Sequence, residues 1–204
     1  MSRSLLESLI LKEKNLPVWF MRQAGRYLPE YQVIRKKNKN FINFCLNIKD
    51  ATKVSLQPIE RYNLDAAIVF SDILLILRAA GQKVDFKENV GPVLGNYNPE
   101  VFYNLSNKNF IKNLKNVYKI IKNIKKKLPK EKSLIGFAGA PWTLLVYMIN
   151  KGSPRKNKKF LVKVRKEEIL KILKRLENLI YIHCKEQIRA AVDGEELVAS
   201  VPCS

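Results

Sequence analysis

The chain has 204 residues, enough to bury a sizeable core but short of the roughly 250 that a complete eight-stranded α/β barrel takes. Its 38 Lys and Arg against 18 Asp and Glu give a formal charge of +20, yet the excess is mostly lysine, spread over many segments rich in Asn and Ile. That dispersal argues against a dedicated nucleic-acid surface, which should cluster on a face or motif. Cys45, Cys184 and Cys203 are widely spaced and the chain has a single His, so neither a disulfide framework nor a zinc site is expected. No run of about 18 uncharged apolar residues and no secretory leader pattern occurs, which points to a soluble, unprocessed, cytoplasmic protein that does not engage a membrane.

In chain order, Ser4 to Leu11 reads as a short amphipathic helix that ends before Pro17. The stretch Pro17 to Tyr31 then sets Arg22 and Arg26 four residues apart among Trp19, Phe20, Tyr27 and Tyr31. Two readings fit: a surface helix start with solvated arginines, or a clamp whose planar guanidinium forks grip carboxylate or phosphate on a flat apolar ligand. Arg35 adds a third guanidinium that can complete the clamp, within a segment, 32 to 49, that lacks clean periodicity. Asp50 to Tyr62 is predicted as a helix with Val54, Ile59 and Tyr62 inward, kinked or broken at Pro58.

Next, an apolar run from Ala66 to Phe70 stops at Ser71 and Asp72 before a second apolar run begins at Ile73. A buried strand here delivers Ser71 and Asp72 to its C-terminal edge, where parallel α/β architectures keep their chemistry. Asp72 fits either a helix cap or an active carboxylate, because the two roles share one geometry. Residues 81 to 100 alternate and turn at Gly91-Pro92, a hairpin or surface excursion from the core units. Phe110, Leu114, Val117, Ile121, Ile124 and Leu128 then mark an amphipathic helix stopped by Pro129, with lysines between them on a solvated face.

Leu134 to Phe137 is a second apolar strand; it runs into the small-residue loop Ala138-Gly139-Ala140, and Pro141 stands at the first helical position. Tyr147 on that helix is either an ordinary core tyrosine or a hydroxyl facing the strand-end mouth. A lysine-rich linker, 151 to 159, precedes a long helix through Ile169, Leu173, Leu176, Ile180, Cys184 and Ile188. His183 lies on or beside that stripe and, without a second metal ligand at useful spacing, reads as a packing histidine outside the site. From Ala190 to Ser204 Lys, Arg and aromatics vanish, and only Leu197 to Val201 has the makings of a strand.

Three motifs, Met21 to Tyr31, Phe70 to Leu74 and Gly136 to Leu144, together resemble the uroporphyrinogen decarboxylase family of haem biosynthesis, in the right order and over about residues 4 to 189. The resemblance implies a (β/α)8 barrel and a homodimer with facing clefts. It implies decarboxylation of four acetate side chains of uroporphyrinogen to give coproporphyrinogen, without metal or organic cofactor. Arg22, Arg26 and Arg35 would bind the substrate carboxylates, Asp72 would stabilise the cationic pyrrole, and Tyr147 would sit on the substrate side. Asp72, Arg22 and Tyr147 are the catalytic candidates on that basis. The family's later serine loop, further βα units and late histidine have no counterpart, so residues 1–189 are expected to form about the first half of a barrel and 190–204 a foreign or frame-shifted tail. Such a stretch alone should turn over little. The competing readings are a corrinoid-linked methyltransferase of the same superfamily, a basic nucleic-acid-binding protein, and a non-catalytic pairing subunit.

Overall fold

Three parallel strands carry the architecture. The computed structural model describes residues 17–20, 27–153 and 164–191, and the backbone of 197–200. The helix expected at Ser4 to Leu11, Arg22, Arg26, most of the 151 to 159 linker and Cys203 lie outside the described residues.

Helices α1 (Pro29–Lys37), α2 (Phe41–Leu46) and α3 (Ile48–Tyr62) lead into strand β1 (Ala66–Ile68). The crossover that follows contains α4 (Leu75–Ala79), the antiparallel pair β2 (Val84–Lys87) and β3 (Gly91–Leu94), and helices α5 (Pro99–Asn104), α6 (Asn107–Asn113) and α7 (Lys115–Lys127). Then come β4 (Ser133–Phe137), α8 (Pro141–Asn150), α9 (Lys166–Ala191) and β5 (Leu197–Ser200). The sheet order is β1-β4-β5, parallel throughout, so successive strands lie side by side as in the opening turns of an α/β barrel. Among the described residues the sheet does not close. Residues 17–20 run beside the start of β1, where Asp65 N donates to Val18 O (3.0 Å) and Val18 N donates to Asp65 Oδ2 (2.7 Å).

Local chemistry explains several boundaries. The asparagines are more than surface filler: Asn40, Asn47 and Asn98 each accept an amide three residues on, capping α2, α3 and α5, and Ser106 does the same for α6. The segment 32 to 49, which periodicity left unassigned, holds the end of α1, all of α2 and the start of α3, with Asn40 and Asn47 capping the latter two. Of the kink or break expected at Pro58, the break does not occur: helix α3 continues for four more residues. Burial of Leu56, Pro58 and Ile59 outweighs the one helical bond that proline cannot make. Tyr62 is 48% exposed instead of inward and carries the Arg61 guanidinium over its ring.

All six apolar positions expected on one helix are buried, but Leu114 divides that stretch into α6 and α7. The hairpin turns at Glu88 to Val90, with Asn89 in the left-handed region, while Gly91 and Pro92 already belong to β3. On α9 the buried stripe is Ile172, Leu176, Leu179, His183 and Gln187, rotated from the expected one; Ile188 is 45% exposed. Two polar side chains face inward because each has a partner there: Tyr118 OH meets His183 Nδ1 at 3.1 Å and Gln187 Nε2 donates to Phe137 O at 3.1 Å.

Candidate functional site at the strand ends

The two strand, loop, helix units meet at the C-terminal edge of the sheet. Ala66, Ala67 and Ile68 pair with Ser133, Leu134 and Ile135, and Val69 N continues the ladder to Ile135 O at 3.0 Å. Carried past the strand ends, that register sets Asp72 level with Gly139. The loops are in contact: a Cβ built on Gly139 would lie 3.0 Å from Ile73 Cβ and 2.9 Å from Leu144 Cδ2. Gly139 is therefore required by close approach between the loop after β4 and the loop that carries Asp72.

Asp72 caps the turn that begins α4. Its Oδ1 accepts Leu74 N at 2.9 Å and its carbonyl accepts Leu75 N at 3.2 Å. Both sequence readings of Asp72 thus share one geometry, with one carboxylate oxygen turned to the backbone. The residue is half-buried, but protein atoms crowd its carboxyl, and desolvation pushes the pKa up to about 6 against the opposing pull of the Leu74 N–H. A carboxyl poised there is ionised for most of its time at neutral pH and gains strongly from any cation placed against it.

Upstream, Ser55 Oγ on α3 donates to Ala51 O (2.7 Å) and accepts Phe70 N (2.8 Å). The Phe70 ring sits among Tyr31, Phe41 and Phe44 at centroid distances of 6.0, 6.0 and 4.6 Å, and Phe41 also meets Phe86 of the hairpin at 4.8 Å. This aromatic cluster joins α1, α2, the hairpin and the end of β1. Arg35 borders it: its guanidinium stands 5.9 Å from the Phe41 ring centroid, and Nη1 donates to the carbonyls of Asn38 and Lys39. Cys45, wholly buried on α2, lies within electrostatic reach of both Asp72 and Arg35. Its thiol is pushed far up, first by burial and then by the Asp72 carboxylate, with Arg35 opposing.

Tyr147 is half-buried on α8 against the main core and is not hydrogen-bonded to Asp72. Helix α8 opens as expected with Pro141 at its first position, and Trp142 beside it is 52% exposed. His183 is buried and bonded to Tyr118, as its packing role requires. Among the described residues no three His, Cys, Asp or Glu side chains converge as a metal site, and no helix is long and apolar enough to cross a membrane. Sequence reasoning passed over Ser55. Its signal was a hydroxyl between Val54 and Leu56 on a helix whose neighbouring positions are inward.

Residues 11–198 match the family described as Uroporphyrinogen decarboxylase (URO-D). The match passes Arg189 and includes part of β5. Among curated relatives named uroporphyrinogen decarboxylase, that of Rickettsia felis is 46% identical over 176 residues, covering 84% of this chain and 51% of the relative. The Rickettsia canadensis protein is 49% identical over 176 residues (84% and 52%), and that of Rickettsia massiliae is 44% identical over 205 aligned positions (97% and 58%). The chain thus spans about half the length of the curated relatives it matches. A solved methyltransferase from Methanosarcina mazei shares the fold, with a TM-score of 0.69 at 16% identity, over 98% of this chain and 58% of that one.

Proposed function

Because the chain belongs to the uroporphyrinogen decarboxylase family, we propose that it supplies the carboxylate-gripping side of a cleft that decarboxylates the four acetate side chains of uroporphyrinogen to give coproporphyrinogen. The observation that carries this reading is the shielded Asp72 carboxyl at the strand ends, in a turn that packs through Ile73 against Gly139.

In this reading Arg22, Arg26 and Arg35 neutralise and orient the substrate carboxylates through charge-assisted, fork-shaped hydrogen bonds. Protonation converts one pyrrole ring into a cation. When the bond to the departing carboxyl carbon breaks, its electron pair flows into that ring and carbon dioxide leaves. The methylene left behind takes up a proton to become methyl and the ring returns its own, so that one proton replaces each carbon dioxide. Asp72 accepts the pyrrole N–H groups and stabilises the cation. Arg22 holds the reacting carboxylate or relays a proton, and Tyr147 lines the substrate side. The protonated ring is itself the electron sink, so the chemistry calls for neither metal nor organic cofactor.

The enzyme of this reading is a cytoplasmic homodimer acting on a small polycarboxylate, with no nucleic-acid or membrane partner. Its test is binding and turnover of uroporphyrinogen, with products resolved by their number of carboxyl groups. Arg22→Ala and Arg26→Ala should each weaken binding about tenfold, the value of one charge-assisted pair. Unchanged binding in both variants would overturn the clamp. The described sheet is open, so these 204 residues alone should yield little coproporphyrinogen; robust formation would contradict that expectation. The methyltransferase likeness carries the fold alone; zinc bound by a full-length relative of this chain would reopen the methyl-transfer reading.

A further inference from the structure

We propose that Ser55 is a positioning residue for Asp72: its hydroxyl, anchored to Ala51 O and gripping Phe70 N, fixes the direction in which the chain leaves β1 and so holds the turn that carries Asp72, packed through Ile73 against Gly139, in place. The inference rests on the catalytic reading of Asp72 for its importance, though not for its geometry.

The backbone amides around Asp72 are satisfied in turn. Val69 N bonds to Ile135 O in the sheet, while Leu74 N and Leu75 N bond within the turn to Asp72 itself. Phe70 N is the one among these that depends on a side chain from another element. Ser55 is 1% exposed, so water does not compete for its oxygen, and its own proton is committed to Ala51 O. One hydroxyl therefore ties α3 to the strand end with both of its hydrogen-bonding roles used. A buried amide deprived of its acceptor either stays orphaned, at a cost in stability, or turns toward water. The second course is open to Phe70, which is half-buried, and it would admit water next to Asp72.

The Phe70 ring offers a separate hold on the same residue through Tyr31, Phe41 and Phe44. Loss of the hydroxyl should therefore loosen the turn without unfolding it. That separation makes the proposal testable by titrating the Asp72 carboxyl by NMR, its resonance assigned from its loss in Asp72→Asn. In the unaltered chain the midpoint should lie near 6. In Ser55→Ala it should fall by about one pH unit as the carboxyl hydrates, and in Ser55→Thr, which keeps the hydroxyl, it should return. Should Ser55→Ala not fold, Ser55→Cys keeps the volume with a poorer acceptor and should give an intermediate midpoint. A midpoint that stays put in Ser55→Ala or Ser55→Cys while thermal stability drops would overturn the proposal and leave Ser55 a structural tie alone. The catalytic reading of Asp72 fails by a different measurement, undiminished decarboxylation by Asp72→Asn, so the two cannot be confused.

Discussion

Gly139 and Ile73 approach so closely that a Cβ on the glycine would stand 3.0 Å from the Ile73 Cβ. That contact locks the loop after β4 onto the loop bearing Asp72. In Gly139→Ala the Leu144 side chain, 2.9 Å from the new atom, can rotate away, but the Ile73 Cβ is tied to its backbone and must carry that backbone with it. The expected outcome is a modest loss of stability, about 1–3 kcal/mol as for overpacking in general. A lowered Asp72 titration midpoint should accompany it, since the loops would part. Chemical denaturation and carboxyl titration of the same sample check both; an alanine variant equal to the parent in both would show that the loops are not mechanically coupled.

Asp72 itself should oppose stability at neutral pH. Its folded pKa of about 6 lies above the ordinary value of 3.8, so the folded state binds the proton more tightly. Stability is then greatest below 3.8 and falls as pH rises through 6, by up to about 3 kcal/mol when the carboxylate is ionised. Asp72→Asn keeps an oxygen for Leu74 N and has no charge to desolvate. It should therefore raise the urea midpoint at pH 7.5 and bring no gain at pH 3.5. A gain that is equal at both pH values would assign the effect to packing.

Much of this site could be read from residue order because its two units are local. An apolar run that stops at Ser71-Asp72, and another that stops at Ala138-Gly139-Ala140 with Pro141 next, each specify strand, loop and helix within about a dozen residues. The family resemblance on those motifs, and the α/β fold with parallel strands that it implied, are borne out. Features that depend on partners distant in sequence were hidden. The stripe on α9 was misplaced because His183 and Gln187 face inward toward Tyr118 and Phe137, 65 and 50 residues away. Ser55 was overlooked because its bond to Phe70 exists only once α3 has folded back on β1.

The buried His183 gives the last expectation, acid sensitivity of the α7–α9 contact. Desolvation lowers its pKa from 6.5 to about 4, while Tyr118 OH on α7 stands 3.1 Å from Nδ1. The unfolded chain binds this proton more readily than the folded one, so stability is fully present above 6.5 and is lost as pH falls toward 4, by about 3 kcal/mol in all. Asp72 acts in the opposite sense over nearly the same interval, which flattens the overall profile and makes a difference measurement necessary. His183→Gln retains a hydrogen-bonding side chain for Tyr118 but cannot titrate. Compared with the parent across pH 4 to 7, it should therefore gain relative stability as pH falls. A constant difference between the two denaturation midpoints over that range would show that His183 is protonated in the folded chain no less readily than in the unfolded one.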